Sequence, residues 1–463
     1  MRRLQGAFIG LVLAAVAGPS AAADISHVAS SGERNKPFEL DLTVRWERSQ
    51  ERATINREKV AASPPGGAIV DGDELRYVRT RNAIVPRIAI GLYKDLELSA
   101  EMPYVLTDDR TWRFGTVSGT PSGGVPGFPS TIETNPYDPN GLTSTSAIPG
   151  SCNPGPCPLF PVAPTQTVYH GGRAGDLKVG LAWAIFNQKK DDTKPFWVVG
   201  MDVTFPTAAR YEPAKDRRPD WSSPSSVADK PAPIGEKVWK WDLYTVLSRR
   251  MGYIDPYVKA HATAMFKTSN TYSNCDFVTE MASAVGPSAT PNPQVNSQAV
   301  TNCSGWGSEA DAKLPWLAGL TVGTEVVPYE DRFEGQRVSI DFRLFTDYTS
   351  AQRFYNELTD ATGKLHMTQG YLTMGGLAGL YLHASKYISL QATASLATRS
   401  AHYLTGESLG RNGSWPSVGS NGVPIDPAEM NPNFDYRYDA PGRRFRISEV
   451  TLFELGAAAV MRF

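Results

Sequence analysis

The sequence predicts an all-β, antiparallel up-and-down transmembrane barrel of about twelve strands (roughly ten to fourteen), with long loops at one end. Three observations predict it. Segments of about ten residues alternate face by face, apolar on one side and polar or charged on the other. Short and long connections follow one another in regular succession. After the N-terminus, no stretch is apolar for the roughly 20 residues that a membrane helix needs, although the chain holds 19 Tyr, 18 Phe and 10 Trp. A mean hydropathy of -0.30 argues against a helical membrane protein. It suits a barrel, in which half of each strand faces inward and the loops are polar.

The strands follow from the alternation. Residues 38–47 put Phe38, Leu40, Leu42, Val44 and Trp46 on one face, opposite Glu39, Asp41, Thr43, Arg45 and Glu47. The same pattern marks strands over 75–92, 96–106, 176–186, 196–205, 239–247, 253–266, 314–326, 338–348, 370–382, 387–398 and 445–463. In the last, Phe453, Leu455, Ala457, Ala459, Met461 and Phe463 share one face. Short links fall at 94–95, 188–193, 251–252, 330–334 and 384–386. Long Gly-, Pro- and Ser-rich links fall at 57–73, 107–173, 206–235, 267–313, 350–366 and 405–443. Two ends of unlike loop length, and an even strand count, follow from this rhythm.

The inward faces carry both signs of charge. Asp41, Arg45, Arg87, Glu101, Lys240, Asp242, Lys259, His261, Asp341 and Arg343 are the candidate lumen-lining residues. A charge on the lipid face would cost about 2–4 kcal/mol at mid-depth, so their consistent placement opposite the apolar face supports the registers. Mixed signs predict ion-pair ladders between strands and not a strongly ion-selective ring. His261 is expected near Lys259, with Asp242 across on the neighbouring strand, as a satisfied interior histidine. A twelve-strand lumen lies between barrels filled by side chains and wide aqueous pores.

The N-terminus carries its own signal. Arg2 and Arg3, an apolar run from Ala7 to Ala17, a break at Pro19-Ser20 and the small residues Ala21-Ala22-Ala23 form a secretory signal pattern over residues 1–23. The apolar run is too short for an anchor. A short segment, 24–36, then leads to the barrel, 37–463. Removing Arg2 and Arg3 takes the formal charge from -1 to -3, which leaves no basic excess for nucleic acid.

Cys152 and Cys157 bracket Asn-Pro-Gly-Pro, and Cys275 and Cys303 bracket a long polar loop. In an exported chain these predict two local disulfides, Cys152–Cys157 and Cys275–Cys303. No histidine lies beside either pair, which disfavours zinc. No Gly-x-Ser-x-Gly elbow or His-Glu-x-x-His motif occurs. No catalytic, cofactor or metal site is expected.

A chain that ends in an alternating strand with a terminal Phe resembles the bacterial outer-membrane β-barrels. The resemblance implies an outer-membrane location, a periplasmic 24–36 segment, and a barrel-assembly machinery that reads the strand ending at Phe463. Three further segments are more specific. Arg87-Ile88-Ala89-Ile90-Gly91-Leu92, Asp95-Leu96-Glu97-Leu98 and Met102-Pro103-Tyr104-Val105 read as strand, tight turn and strand. Gly171 to Leu181 contains a Gly175-Asp176 strand entry, and Phe205-Pro206-Thr207 closes the next strand. Together they resemble the outer-membrane transporter family associated with meta-pathway phenol degradation, although Ala208 stands where that family usually has Gly. The resemblance implies passive uptake of small hydrophobic or aromatic compounds, with the lipid bilayer and a small-molecule solute as partners. The alternative is a closed structural or adhesive barrel whose surface loops bind partners.

The mature chain is therefore expected to begin at Asp24, with Cys152 linked to Cys157. Intact-mass measurement and non-reducing peptide mapping of membrane-extracted protein check both. Retention of Met1–Ala23 or a Cys152–Cys275 peptide would overturn them.

Overall fold

The computed structural model describes residues 23–32, 38–60, 69–114, 165–188, 190–216, 231–276, 303, 306–331, 333–408, 431–434, 438–439 and 441–463. Residues 1–22, Cys152 and Cys157 lie outside them.

The strands are β1 (Leu40–Val60), β2 (Ile69–Tyr93), β3 (Leu96–Glu101), β4 (Tyr104–Phe114), β5 (Thr165–Ala174), β6 (Leu177–Phe186), β7 (Phe196–Phe205), β8 (Val238–Ser248) and β9 (Ile254–Lys267). They continue with β10 (Trp316–Asp331), β11 (Gln336–Thr349), β12 (Gln352–Phe354), β13 (His366–Thr368), β14 (Tyr371–His383), β15 (Ile388–Arg399), β16 (His402–Tyr403) and β17 (Phe445–Arg462). Two helical turns, α1 (Pro213–Asp216) and α2 (Thr359–Thr362), complete the elements used below. β3 and β4 are successive parts of one wall strand, interrupted at Met102-Pro103. β5 and β6 form another, interrupted at Gly175-Asp176. β16 is a short addition to β17, and β12–β13 pair apart from the wall. The wall is thus a closed, twelve-strand antiparallel barrel.

Neighbours in sequence are neighbours in the wall throughout, and the circuit closes where β1 pairs with β17. That seam runs from Asp41 opposite Arg462 to Arg57 opposite Phe445. Closure leaves no open edge at membrane depth, as lipid requires, because hydrocarbon offers no partner to an unpaired N–H or C=O. The outward face is apolar: Val44, Trp183, Leu243, Phe342, Leu344 and Leu396 are all exposed. Both termini of the wall and the short turns share one end. The long loops share the other. No helix among the described residues is long and apolar enough to cross a membrane. The molecule is a transmembrane β-barrel of the outer-membrane kind.

The strand pattern read from sequence is observed with two extensions. β1 has 21 residues, about 70 Å of chain, where about ten suffice to cross a bilayer. Residues 48–56 and 74, outside the expected strands, and 57–60 and 69–73, expected as loop, continue the β1–β2 ladder to Val60 opposite Ile69. Residues 107–114 and 165–173 continue as the β4–β5 hairpin. The apolar outward pattern stops at Trp46 because these residues stand clear of the hydrocarbon, where Arg48 and Arg52 are outward and exposed. The periodicity of a lipid face therefore marks the membrane depth of a strand and not its whole length. The extended wall needs something to pack against, and the loops supply it. Ile55, Leu75, Tyr77, Trp112 and Val168 on its inner face meet Leu358, Leu404 and Tyr438 in an apolar core at the long-loop end.

Replacing Leu243 or Phe342 with Arg should cost about 2–4 kcal/mol and impair insertion. Replacing the inward Thr373 or Ser395 with Ala should be tolerated. Heat-modifiable migration on gels reads both, and equal tolerance at the two kinds of site would show the registers to be wrong.

Candidate functional site

The barrel interior is built in three levels. The middle level holds the charges that alternate with the apolar belt. Lys178 on β6 bridges Glu101 on β3 and Asp202 on β7, each at 3.1 Å, a ladder across three adjacent strands. Arg87 meets Glu97 at 2.6 Å, and Arg45 meets Glu47 at 2.5 Å. Asp341 accepts hydrogen bonds from the Tyr257 hydroxyl at 2.6 Å and from Arg343 at 2.5 Å, and Arg343 also donates to the Tyr381 hydroxyl. Lys259 lies 5.0 Å from the centre of the Tyr244 ring. Lys240 sits higher, paired at 2.7 Å with Glu236 of the long-loop end.

One expected neighbour is corrected. His261 does not meet Asp242, whose carboxylate accepts from the Thr263 hydroxyl at 2.7 Å. The register sets His261 opposite Tyr244 on one side and Gly319 on the other. Gly319 in turn faces Asp347. A side chain at Gly319 would collide with both groups. Its absence lets the His261 ring reach across to Asp347 at 3.6 Å.

At the short-turn end, residues 23–32 enter the barrel. Val28 packs with Ala182, Ala184, Phe196, Val198 and Val246 on the inner wall. The Ala29 amide donates to Glu97 at 2.7 Å, and the Ser30 amide donates to Glu39 at 2.8 Å. Gly91 makes the approach feasible, since a Cβ there would lie 2.6 Å from the Ser30 carbonyl carbon. His27, Glu39 and Asp41 place ligand-type atoms within 4.8 Å of one another. Asp41 is already met by His27 at 3.1 Å and by the Arg462 guanidinium at 3.6 Å, so the group reads as an anchor for the segment and not as a metal centre.

At the long-loop end, the segment from β12 through α2 to β13 folds into the mouth. Asp360, 1 % exposed as a side chain, is its anchor. Arg110 donates to it at 3.0 Å, His170 Nε2 lies 3.1 Å away, and the Tyr211 hydroxyl donates to its other oxygen. Burial alone would raise this carboxyl. The adjacent Arg110 and His170 hold it well below the usual carboxylate range instead. Arg110 also meets Asp108, which pairs with Arg79. Arg399 joins Glu357 of the same segment at 2.6 Å to Glu51 of the wall at 3.0 Å. The Trp112 indole donates to the Glu357 carbonyl at 2.9 Å. Below, the Cys275–Cys303 disulfide closes part of the β9–β10 loop. Asn274 of that loop donates to the Leu365 carbonyl at 2.9 Å.

Sequence reading missed this level. His170 is a strand residue, not a loop residue. Asp360 carries no local pattern that points to partners 149 to 250 positions away. Between the two closures lies a cavity of about 260 Å³ on the inner faces of β1, β2, β14, β15 and β17.

No protein-family model and no curated protein matches the chain. Among solved structures it is similar to an outer-membrane channel from Pseudomonas putida F1, at 11% identity over 92% of this chain and 95% of that one, with a TM-score of 0.38. A FadL homologue of Pseudomonas aeruginosa gives 9%, 92%, 90% and 0.31. A mutant of the monoaromatic hydrocarbon channel TodX gives the same four values. At these scores the likeness carries no argument about function.

His402 makes the long-loop closure sensitive to acid. It lies beyond the apolar belt, stacks on Tyr371 with ring centres 4.3 Å apart, and donates from Nδ1 to the Ser400 carbonyl at 2.7 Å. Burial, with Arg399 nearby, lowers it from 6.5 to about 4. The unfolded chain binds this proton first, so the contribution is full above about pH 6.5 and is lost as pH falls toward 4. Asp360, depressed further, keeps its charge across that window. Denaturant titrations should therefore show stability falling between pH 6.5 and 4.5 by about 2 kcal/mol. His402→Gln should flatten the dependence. An equally steep curve in the variant would assign it elsewhere.

Proposed function

We propose that the chain is a passive channel of the bacterial outer membrane that admits small hydrophobic or aromatic compounds. The short-turn end then faces the periplasm and the long-loop end faces outward. The observation that carries this reading is the interior itself: a cavity inside a closed wall, with a segment from outside the wall packed into each end. Residues 23–32 and the β12–β13 segment are held by side-chain contacts and a few backbone hydrogen bonds, Ser31 to Lys94, Arg353 to Lys313 and Gln369 to Tyr403 among them, so either can leave with the main strand ladder of the wall intact. A barrel built only as a scaffold has no need of removable ends. The near balance of inward charge favours solutes without strong net charge. The hydrophobic and aromatic class is supported by the sequence resemblance over 82–105 and 171–207. In this reading Asp41, Arg45, Arg87, Glu101, Lys240, Asp242, Lys259, His261, Asp341 and Arg343 line the route, and the strand ending at Phe463 is offered to the assembly machinery.

The protein acts as a conduit and not as an enzyme. Its most enzyme-like group, His170 with Asp360, is fully buried and held by Arg110 and Tyr211, which suits a latch. Purified protein in liposomes should speed entry of toluene or phenol over empty liposomes. Asp360→Ala, which removes the latch, and Gly91→Val, which expels the inner segment, should each raise that rate several-fold. Unchanged entry with wild type and both variants would favour the closed structural or adhesive barrel.

A further inference from the structure

The cavity has a polarity that a simple hydrophobic route does not require. Three side chains on consecutive wall strands lie in one row. Arg81 on β2 is directly opposite Ser49 on β1, and Ser49 is directly opposite Glu454 on β17. All three line the cavity. Two strand spacings separate the charged ends of the row, roughly 10 Å between backbones.

Neither charge has an ion-pair partner at contact distance among the described residues, although Asp108 and Glu47 act on Arg81 from farther away. Arg81 has no ion pair or hydrogen-bond partner among the described residues. Glu454 has no cationic partner there, only the Ser395 hydroxyl at 3.4 Å. This contrasts with Arg45 and Glu47 just below, which neutralise each other at 2.5 Å, and with Arg79 just above, which is paired with Asp108. The Arg45–Glu47 pair lines the same cavity, so the chamber holds one neutralised pair and, beside it, one cation and one anion without a close ion-pair partner.

The space between them is kept open by small residues. Below the row, Glu47 is opposite Ala83 on one side and Gly456 on the other, and Gly456 faces Thr393. A Cβ at Gly456 would come 2.6 Å from the Thr393 hydroxyl oxygen. The volume, about 260 Å³, exceeds the ~150 Å³ of an engineered cavity that takes benzene. That volume is enough for a single substituted ring.

We infer that this chamber is a binding site for a single-ring solute carrying an acidic group at one end and a basic group at the other, with Arg81 receiving the carboxylate and Glu454 the ammonium. The inference rests on the channel reading and narrows its substrate class: an amphoteric aromatic compound in preference to a bare hydrocarbon. Each charge on such a solute meets an opposite charge on the inner wall in a charge-assisted hydrogen bond. A solute with one charge leaves one wall group uncompensated. A hydrocarbon leaves both.

Four probes of one shape separate these cases: 4-(aminomethyl)benzoate, benzoate, benzylamine and toluene. Calorimetric titration of the full-length protein in detergent, at low ionic strength, measures equilibrium binding without any flux. The expected order is the zwitterion first, about tenfold tighter than either single-charge probe, and toluene last. Arg81→Gln should remove the advantage of the zwitterion over benzylamine. Glu454→Gln should remove its advantage over benzoate. Heat-modifiable migration confirms that each variant is folded, and the wild-type ranking stands as a test by itself. Equal binding of all four probes, no binding of the zwitterion, or an unchanged ranking in both folded variants would overturn the inference. Failure of the channel reading shows separately, as absence of liposome entry while the calorimetric ranking persists.

Discussion

Everything in this molecule follows from the need to pair each backbone N–H and C=O of a sheet that stands in hydrocarbon. The solution is the seam between β1 and β17, which joins the first and last strands in register from Asp41–Arg462 upward. Once that seam closes, the chain has an inside and an outside, and each strand must choose a residue for each in turn. The apolar belt and the charged interior are two consequences of one closure. A slip of one residue at any pair would turn Arg343 and Asp341 toward lipid and Phe342 toward the interior.

Closure creates a second problem, because charges brought inside lose most of their water. The wall answers it strand by strand. Glu101, Lys178 and Asp202 form one chain of pairs, and Asp341, Arg343, Tyr257 and Tyr381 form another. Such pairs contribute less to net stability than their short distances suggest, since desolvation offsets much of the attraction. Their larger effect is to fix where unpaired charge remains. The row from Arg81 to Glu454 stands out because the levels above and below it are neutralised.

The two closures differ in construction. Residues 23–32 lie against a smooth inner wall, and backbone amides bound to Glu39 and Glu97 hold them. The long-loop closure is a small folded core with its own hydrophobic centre around Leu358, Leu404 and Tyr438, tied to the wall at Arg110 and Arg399. The first is a strip that a single Cβ at Gly91 would displace. The second is a small folded unit whose ties to the wall gather at Asp360 and Glu357.

The sequence alone determined the strands, their faces and the order of short and long links. Alternation with a period of two is a local property, and lipid enforces it residue by residue from Phe38 to Trp46 and from Phe453 to Phe463. The face opposite an apolar stripe is likewise known without any partner. Only the tertiary structure decided who meets whom. His261 reaches Asp347 because Gly319 on an intervening strand is empty of side chain. Asp360 gathers Arg110, His170 and Tyr211 from strands and loops far away in sequence. The extent of β1 and β2 beyond the membrane was also hidden, because outside hydrocarbon the outward face no longer needs to be apolar. Closure of the two ends, and the charged chamber between them, depend on contacts between distant segments, and no local periodicity encodes those.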